Sequence, residues 1–141
     1  MYKRQLLFLA AWGNDTLAYC TGMLIGKHKM SPILSPKKSI EGLVGGIVGA
    51  AILGALYGLY LNTYIRFSFN PVTMFPIVCG LGGAVSVIGD LAASAIKRDS
   101  GIKDYGTLIP GHGGILDRFD SIIFIAPVIY YLTVMISGGA I

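Results

Sequence analysis

Residues 42–65, GLVGGIVGAAILGALYGLYLNTYI, run for twenty-four positions without a charged side chain, and residues 67–89, FSFNPVTMFPIVCGLGGAVSVIG, run for twenty-three. A helix rises about 1.5 Å per residue and the hydrocarbon core of a bilayer is about 30 Å thick, so each run is long enough to cross it. Outward from this pair, residues 121–141 are again charge-free and rich in Ile, Val and Tyr. Residues 5–26 form a fourth apolar run, interrupted by Asn14, Asp15, Thr16 and Tyr19. The expected fold is an all-α polytopic transmembrane bundle of about four spans, with residues 1–141 forming one membrane domain.

Composition agrees. The 141 residues are 54% hydrophobic and 13% charged, against about 25% charged in soluble domains. Disorder is excluded, because it requires low hydrophobicity and high net charge. Cys20 and Cys79 both lie within apolar runs, which favours packing over a disulfide framework. The start of the chain mimics the first regions of a signal peptide, but Asn14 and Asp15 interrupt it and no small-residue cleavage site follows.

Glycines separated by three residues, Gly22 and Gly26, Gly42 and Gly46, Gly45 and Gly49, and Gly54 and Gly58, allow close approach of helix backbones in lipid. Most of these glycines are expected to pack the helices of a tight bundle, with either self-association through the Gly42 to Gly58 surface or a separate N-terminal partner expected besides. The net charge of +4 is concentrated in loops, which argues against a nucleic-acid partner. Residues 27–41 hold Lys27, Lys29, Lys37 and Lys38, and residues 94–120 hold Lys97, Arg98, Lys103 and Arg118, whereas the loop between the second and third spans has only Arg66. The positive-inside rule places both rich loops in the cytoplasm and Met1 outside, with Lys3 and Arg4 opposing that placement.

Residues 89–120, GDLAASAIKRDSGIKDYGTLIPGHGGILDRFD, carry the densest chemistry. If the third span stays helical to Arg98, then Asp90, Ser94, Lys97 and Arg98 share one face. Beyond them come Lys103 and Asp104, a glycine-rich turn containing His112, Gly113 and Gly114, and then Asp117, Arg118 and Asp120. This mixture suits phosphoryl or nucleotidyl transfer: Asp90 and Asp117 offer hard oxygen ligands for Mg2+, cations neutralise phosphate oxygens, and glycine turns bring backbone N–H groups to an anion. A zinc site lacks its cysteines and paired histidines, and neither His28 nor His112 sits in a nucleophile-elbow context. Read singly, the same cations serve as topology determinants, His112 is a surface histidine, and Asp120 with Ser121 is a helix cap.

An acid inside an apolar span is a functional candidate, and Asp15 shares a helical face with Tyr19 and Gly22, directed into the bundle. Ser35, Lys37 and Lys38 precede a helix start, a setting equally suited to a phosphate contact and to a topology signal.

The run from Ser94 through Lys97-Arg98, Lys103-Asp104, Pro110-Gly111-His112-Gly113-Gly114 and Asp117-Arg118 to Asp120 resembles the signature of the phosphatidate cytidylyltransferases, or CDP-diacylglycerol synthases. Asn14-Asp15-Thr16-x-Ala18-Tyr19 and Ser35-Pro36-Lys37-Lys38-Ser39-x-Glu41-Gly42 resemble two further blocks of that family, with Ser39 where threonine is more usual. Together they match its C-terminal half. The resemblance implies a membrane enzyme that transfers CMP from CTP to phosphatidate, giving CDP-diacylglycerol and pyrophosphate in phospholipid biosynthesis, with Mg2+ required and a second metal ion allowed. It further implies an integral protein of the plasma or inner membrane, working as a homodimer or with a separate N-terminal partner, its site facing the cytoplasm. By motif, Asp90 and Asp117 would hold metal. Lys97, Arg98, Lys103, Asp104, His112, Arg118 and Asp120 would be catalytic. Asp15, Ser35, Lys37, Lys38, Ser94, Gly113 and Gly114 would bind substrate. The alternatives are another CTP-dependent lipid enzyme, such as a polyprenol kinase or archaeal-lipid cytidylyltransferase, and an inactive membrane subunit.

Overall fold

The computed structural model describes residues 2–31, 35–65, 69–102 and 116–136. Helix α1 (Tyr2–Phe8) passes through a π-helical turn (Leu9–Gly13) into α2 (Asn14–Ile25). A small hairpin of β1 (Lys29–Ser31) and β2 (Ser35–Ser39) leads into α3 (Ile40–Tyr64), followed by α4 (Pro71–Asp99) and α5 (Leu116–Ile136). The stretch expected as a plain loop at 27–41 is thus partly an antiparallel hairpin, with Lys29 opposite Ser39 and Ser31 opposite Ser35.

Three described helices are long and apolar enough to cross a membrane: α3, α4 and the part of α5 from Phe119 to Ile136. The expected first span is helical from Tyr2 to Ile25, but the π-helical turn divides it into shorter pieces. Large apolar side chains such as Val44, Val48, Ile52 and Leu56 on α3, and Ile123, Tyr131 and Met135 on α5, point outward. An outward apolar face of this extent is what lipid requires and water penalises. The protein is an integral membrane helix bundle.

Local signals fix the helix starts. The Ser39 hydroxyl accepts the Gly42 N–H at 3.1 Å and caps α3. The Asn70 side chain accepts the Val72 N–H at 3.0 Å, with Pro71 at the first helical position, where its missing N–H costs nothing. Helix α5 begins at Leu116, one turn earlier than the charge pattern suggests, so Asp120 lies inside the helix and is not its cap.

Helix α3 packs between α2 and α4, and α4 packs against α5. The glycine face of α3 is consumed by these contacts: Gly42, Gly46, Ala50, Gly54 and Gly58 are all buried. A Cβ at Gly54 would lie 2.6 Å from the Phe75 carbonyl oxygen, and one at Gly58 would lie 2.5 Å from that of Pro71. The surface expected to mediate self-association therefore joins helices within the chain. The first span runs obliquely across this layer, with α2 against α3 and α1 against α5. At the α1 end, Phe75 stacks on Tyr2 and on Tyr57, each at 5.7 Å between ring centroids. Cys79 is buried, while Cys20 is exposed; both are free thiols, so the packing expectation holds for Cys79 alone.

Candidate active site at the hairpin end of the bundle

The end of α3 at Tyr64 and the start of α4 at Pro71 lie on one side of the bundle, and the start of α3, the end of α4 and the described start of α5 lie together on the other. The described parts of residues 27–41 and 94–120 share that end. Between them opens a cavity of about 720 Å³, lined from α2 by Asp15, from β2 by Lys38, from α4 by Asp90 and from α5 by Asp120.

Each of these side chains has a local reason for its place. The hairpin is clamped at its base by Glu41, whose carboxylate accepts the His28 N–H at 3.2 Å and lies 2.6 Å from the His28 ring Nδ1. With the Ile40 N–H bound to the His28 carbonyl at 3.0 Å, the strand is held so that Lys38 reaches across to Asp90 and pairs with its carboxylate. Helix α4 does continue past Arg98, so Asp90, Ser94 and Lys97 follow one another up one side. Lys97 turns inward to lie 3.9 Å from the Asp120 carboxylate, with the two side chains only 13% and 10% exposed. Ser94 is half-buried and Arg98 is exposed at the helix end; neither lines the cavity.

Asp15 faces the cavity, as do Tyr19 and Gly22 from the same helical face. The residue that enters the packed interior is its neighbour Asn14, fully buried, whose amide donates to the Asp15 carboxylate at 3.4 Å. Room for it is made by glycines on two other helices: a Cβ at Gly46 would lie 2.7 Å from Asn14 Oδ1, and one at Gly83 would lie 3.0 Å from it. Sequence reading did not assign Asn14 a role. Its signal was an amide in an apolar helix facing two glycines, legible only once the three helices are set together. Asn14 Oδ1 and Ser86 Oγ are buried without a hydrogen-bond partner among the described residues.

Lys103, Asp104, His112, Gly113 and Gly114 lie outside the described residues, as do the side chains of Ser35, Lys37, Asp117 and Arg118, whose backbones lie in β2 and α5. Among described side chains, the acid brought to Asp90's cavity from α5 is Asp120.

The donor chemistry suits a hard divalent cation: three carboxylates border one cavity, and oxygen donors with negative charge are what magnesium selects. Among the described residues no three His, Cys, Asp or Glu side chains close into a metal cluster. Asp90 already draws a cation, the Lys38 ammonium, so the position is one where positive charge is favoured. With Lys38 among the acids on the cavity wall and Lys97 behind Asp120, the cavity can hold an anion through Lys38 and a cation through the carboxylates at once, the pairing that a metal-bound nucleotide presents.

The sequence profile described as the cytidylyltransferase family matches residues 3–136. The phosphatidate cytidylyltransferase of Staphylococcus saprophyticus subsp. saprophyticus is 40% identical over 129 residues, covering 92% of this chain and 48% of that protein. The enzyme of the same name from Staphylococcus aureus is 42% identical over 127 residues, covering 90% of this chain and 47% of that protein. The one from Staphylococcus haemolyticus is 40% identical over 127 residues, with 90% and 47% covered. The chain spans about half the length of the curated relatives it matches.

Proposed function

The chain belongs to the cytidylyltransferase family, and on that premise we propose that it carries the site that transfers CMP from CTP to phosphatidate, yielding CDP-diacylglycerol and pyrophosphate. The observation that carries this reading is the convergence of Asp15, Lys38, Asp90 and Asp120, from four separate elements, on one cavity at the end of a membrane bundle. An enzyme that joins a water-soluble nucleotide to a membrane lipid needs its charged groups at such a boundary.

In the reaction, a phosphatidate phosphate oxygen bonds to the α-phosphorus of CTP, and the bond from that phosphorus to the α–β bridging oxygen breaks, its electron pair leaving with pyrophosphate. Phosphate is already ionised at neutral pH, so the protein need not supply a strong base. Its task is positioning and charge compensation. Lys38 and Lys97 would hold phosphate oxygens, joined by Arg98, Lys103, His112 and Arg118 from the signature. Asp90 and Asp117 would hold Mg2+, which when bound neutralises triphosphate charge and polarises its oxygens. Asp15, fixed by Asn14, would orient what enters from the lipid side. The site end would face the cytoplasm, where its basic loops belong, in an assembly that is a homodimer.

The test is an assay with CTP labelled at the α- or the γ-phosphorus, offered with phosphatidate to the purified chain alone and with added membrane partners. Label from the α-position is expected in CDP-diacylglycerol. Transfer of the γ-label to lipid would identify a kinase instead, and magnesium-independent or absent CTP binding would identify a non-catalytic subunit.

A further inference from the structure

A second cavity, about 600 Å³ and open along one side, runs down the outer face of the first span from Thr16 to Gln5. Its walls are apolar, with Leu9 on one side and Leu53 of α3 on the other. At its far end the Tyr57 hydroxyl donates to the Gln5 side-chain oxygen, so the polar groups there satisfy each other. Trp12 and Thr16 line both this groove and the carboxylate cavity. The two spaces therefore share a wall, and Trp12, 53% exposed, stands at the junction.

Dimensions decide what fits. From Gln5 to Thr16 is roughly 16 Å of helix, so a volume near 600 Å³ leaves a mean cross-section of about 40 Å², about half that of a helix 10 Å wide. A single hydrocarbon chain in van der Waals contact with Leu9 and Leu53 fits such a channel, and the continuity with the carboxylate cavity through Trp12 and Thr16 points to the tail of a lipid whose headgroup lies there. We infer that this groove is the binding site for one acyl chain of the lipid whose phosphate occupies the carboxylate cavity, with Trp12 and Thr16 at the point where headgroup gives way to chain. This inference rests on the lipid-substrate reading above. The hydrogen-bonded Gln5 and Tyr57 form the polar end of the groove.

The experiment uses the full chain in lipid nanodiscs with CTP and a phosphatidate that carries a photoreactive diazirine near the end of one acyl chain. After irradiation and digestion, adducts are expected to concentrate on the peptides holding Gln5 to Gly13 and Leu53 to Tyr57. Leu53→Trp, which fills the groove, is expected to lower that labelling about ten-fold, the equivalent of withdrawing roughly two methylenes from apolar contact. Leu53→Ala, which widens the groove, should retain the labelling, and it keeps the test decisive if the tryptophan variant does not fold. Labelling spread equally over the groove and over the outward residues Ile123 and Met135 of α5, with no response to Leu53→Trp, overturns the inference. CDP-diacylglycerol formation is read separately. Product with dispersed labelling rejects the groove and keeps the reaction, whereas groove labelling without product keeps the groove and rejects the reaction.

Discussion

The Lys38 ammonium sits on the Asp90 carboxylate, fifty-two residues away in the chain, and this contact ties the hairpin to the upper part of α4. Both side chains are less than a third exposed, so the pair is stronger than a surface ion pair, though short of a fully buried one. A double-mutant cycle of Lys38→Met and Asp90→Asn, followed by unfolding in detergent, should give a coupling of about 1 to 2 kcal/mol. Coupling near zero would show that the hairpin is held by its own clamp at Glu41 alone.

Removing charge at constant volume should separate chemistry from folding. Asp90→Asn and Asp117→Asn are each expected to lower CMP transfer by about a hundred-fold or more on the folded fraction, far beyond the modest stability that Asp90→Asn loses with the Lys38 pair. The Asp120→Asn change should also remove the charge opposite Lys97, adding a rise in the KM for CTP. Turnover and CTP binding across a magnesium titration provide the measurement. Near-normal turnover of Asp117→Asn at ordinary magnesium would remove it from the metal assignment.

Two glycines on one helix face should behave differently. Gly46→Ala would place a methyl group 2.7 Å from Asn14 Oδ1 and 2.9 Å from the Asn14 carbonyl oxygen, whereas Gly58→Ala would meet the Pro71 carbonyl at 2.5 Å. Both overpack the bundle and should cost about 1 to 3 kcal/mol. Only Gly46→Ala displaces the residue that holds Asp15, so it alone should depress turnover beyond the fraction unfolded, as measured by single-turnover rates on folded protein.

Topology is testable with cysteines placed at exposed sites. After replacement of the exposed Cys20 by serine, single cysteines at Lys27 and Ser100 should react with an impermeant maleimide from one face of the membrane, and one at Asn70 from the other. Labelling of Lys27→Cys and Ser100→Cys from opposite faces would contradict the shared end of the bundle.

Charge-free runs made the long helices legible, because twenty or so apolar residues have no other stable arrangement in lipid. Asp15, Lys38 and Asp90 were each singled out in the sequence, but their meeting at one cavity was not legible there, since it depends on how three elements are set together. The hairpin was not, since Lys29 to Ser31 and the strand ending at Ser39 carry no apolar alternation and are fixed by pairing and by the Glu41 clamp. Asn14 was hidden because its environment is built from glycines at 46 and 83, far away in sequence. The glycine repeat of α3 was read correctly as a helix-packing surface, and its use between helices of the chain leaves that face no room for the self-association also expected of it.

The π-helical turn at Leu9–Gly13 inserts an extra residue immediately before Asn14. Each residue advances an α-helix by about 100°, so the turn sets the two halves of the first span out of phase by roughly that angle. One half keeps its azimuth toward α5 and the aromatic stack, the other toward α3 and the carboxylates. Deleting one residue within the turn would restore an unbroken helix, yet it would force a choice between these two faces. The span thus works as a mechanical splice, and its fault line is what lets a single helix serve two differently oriented neighbours.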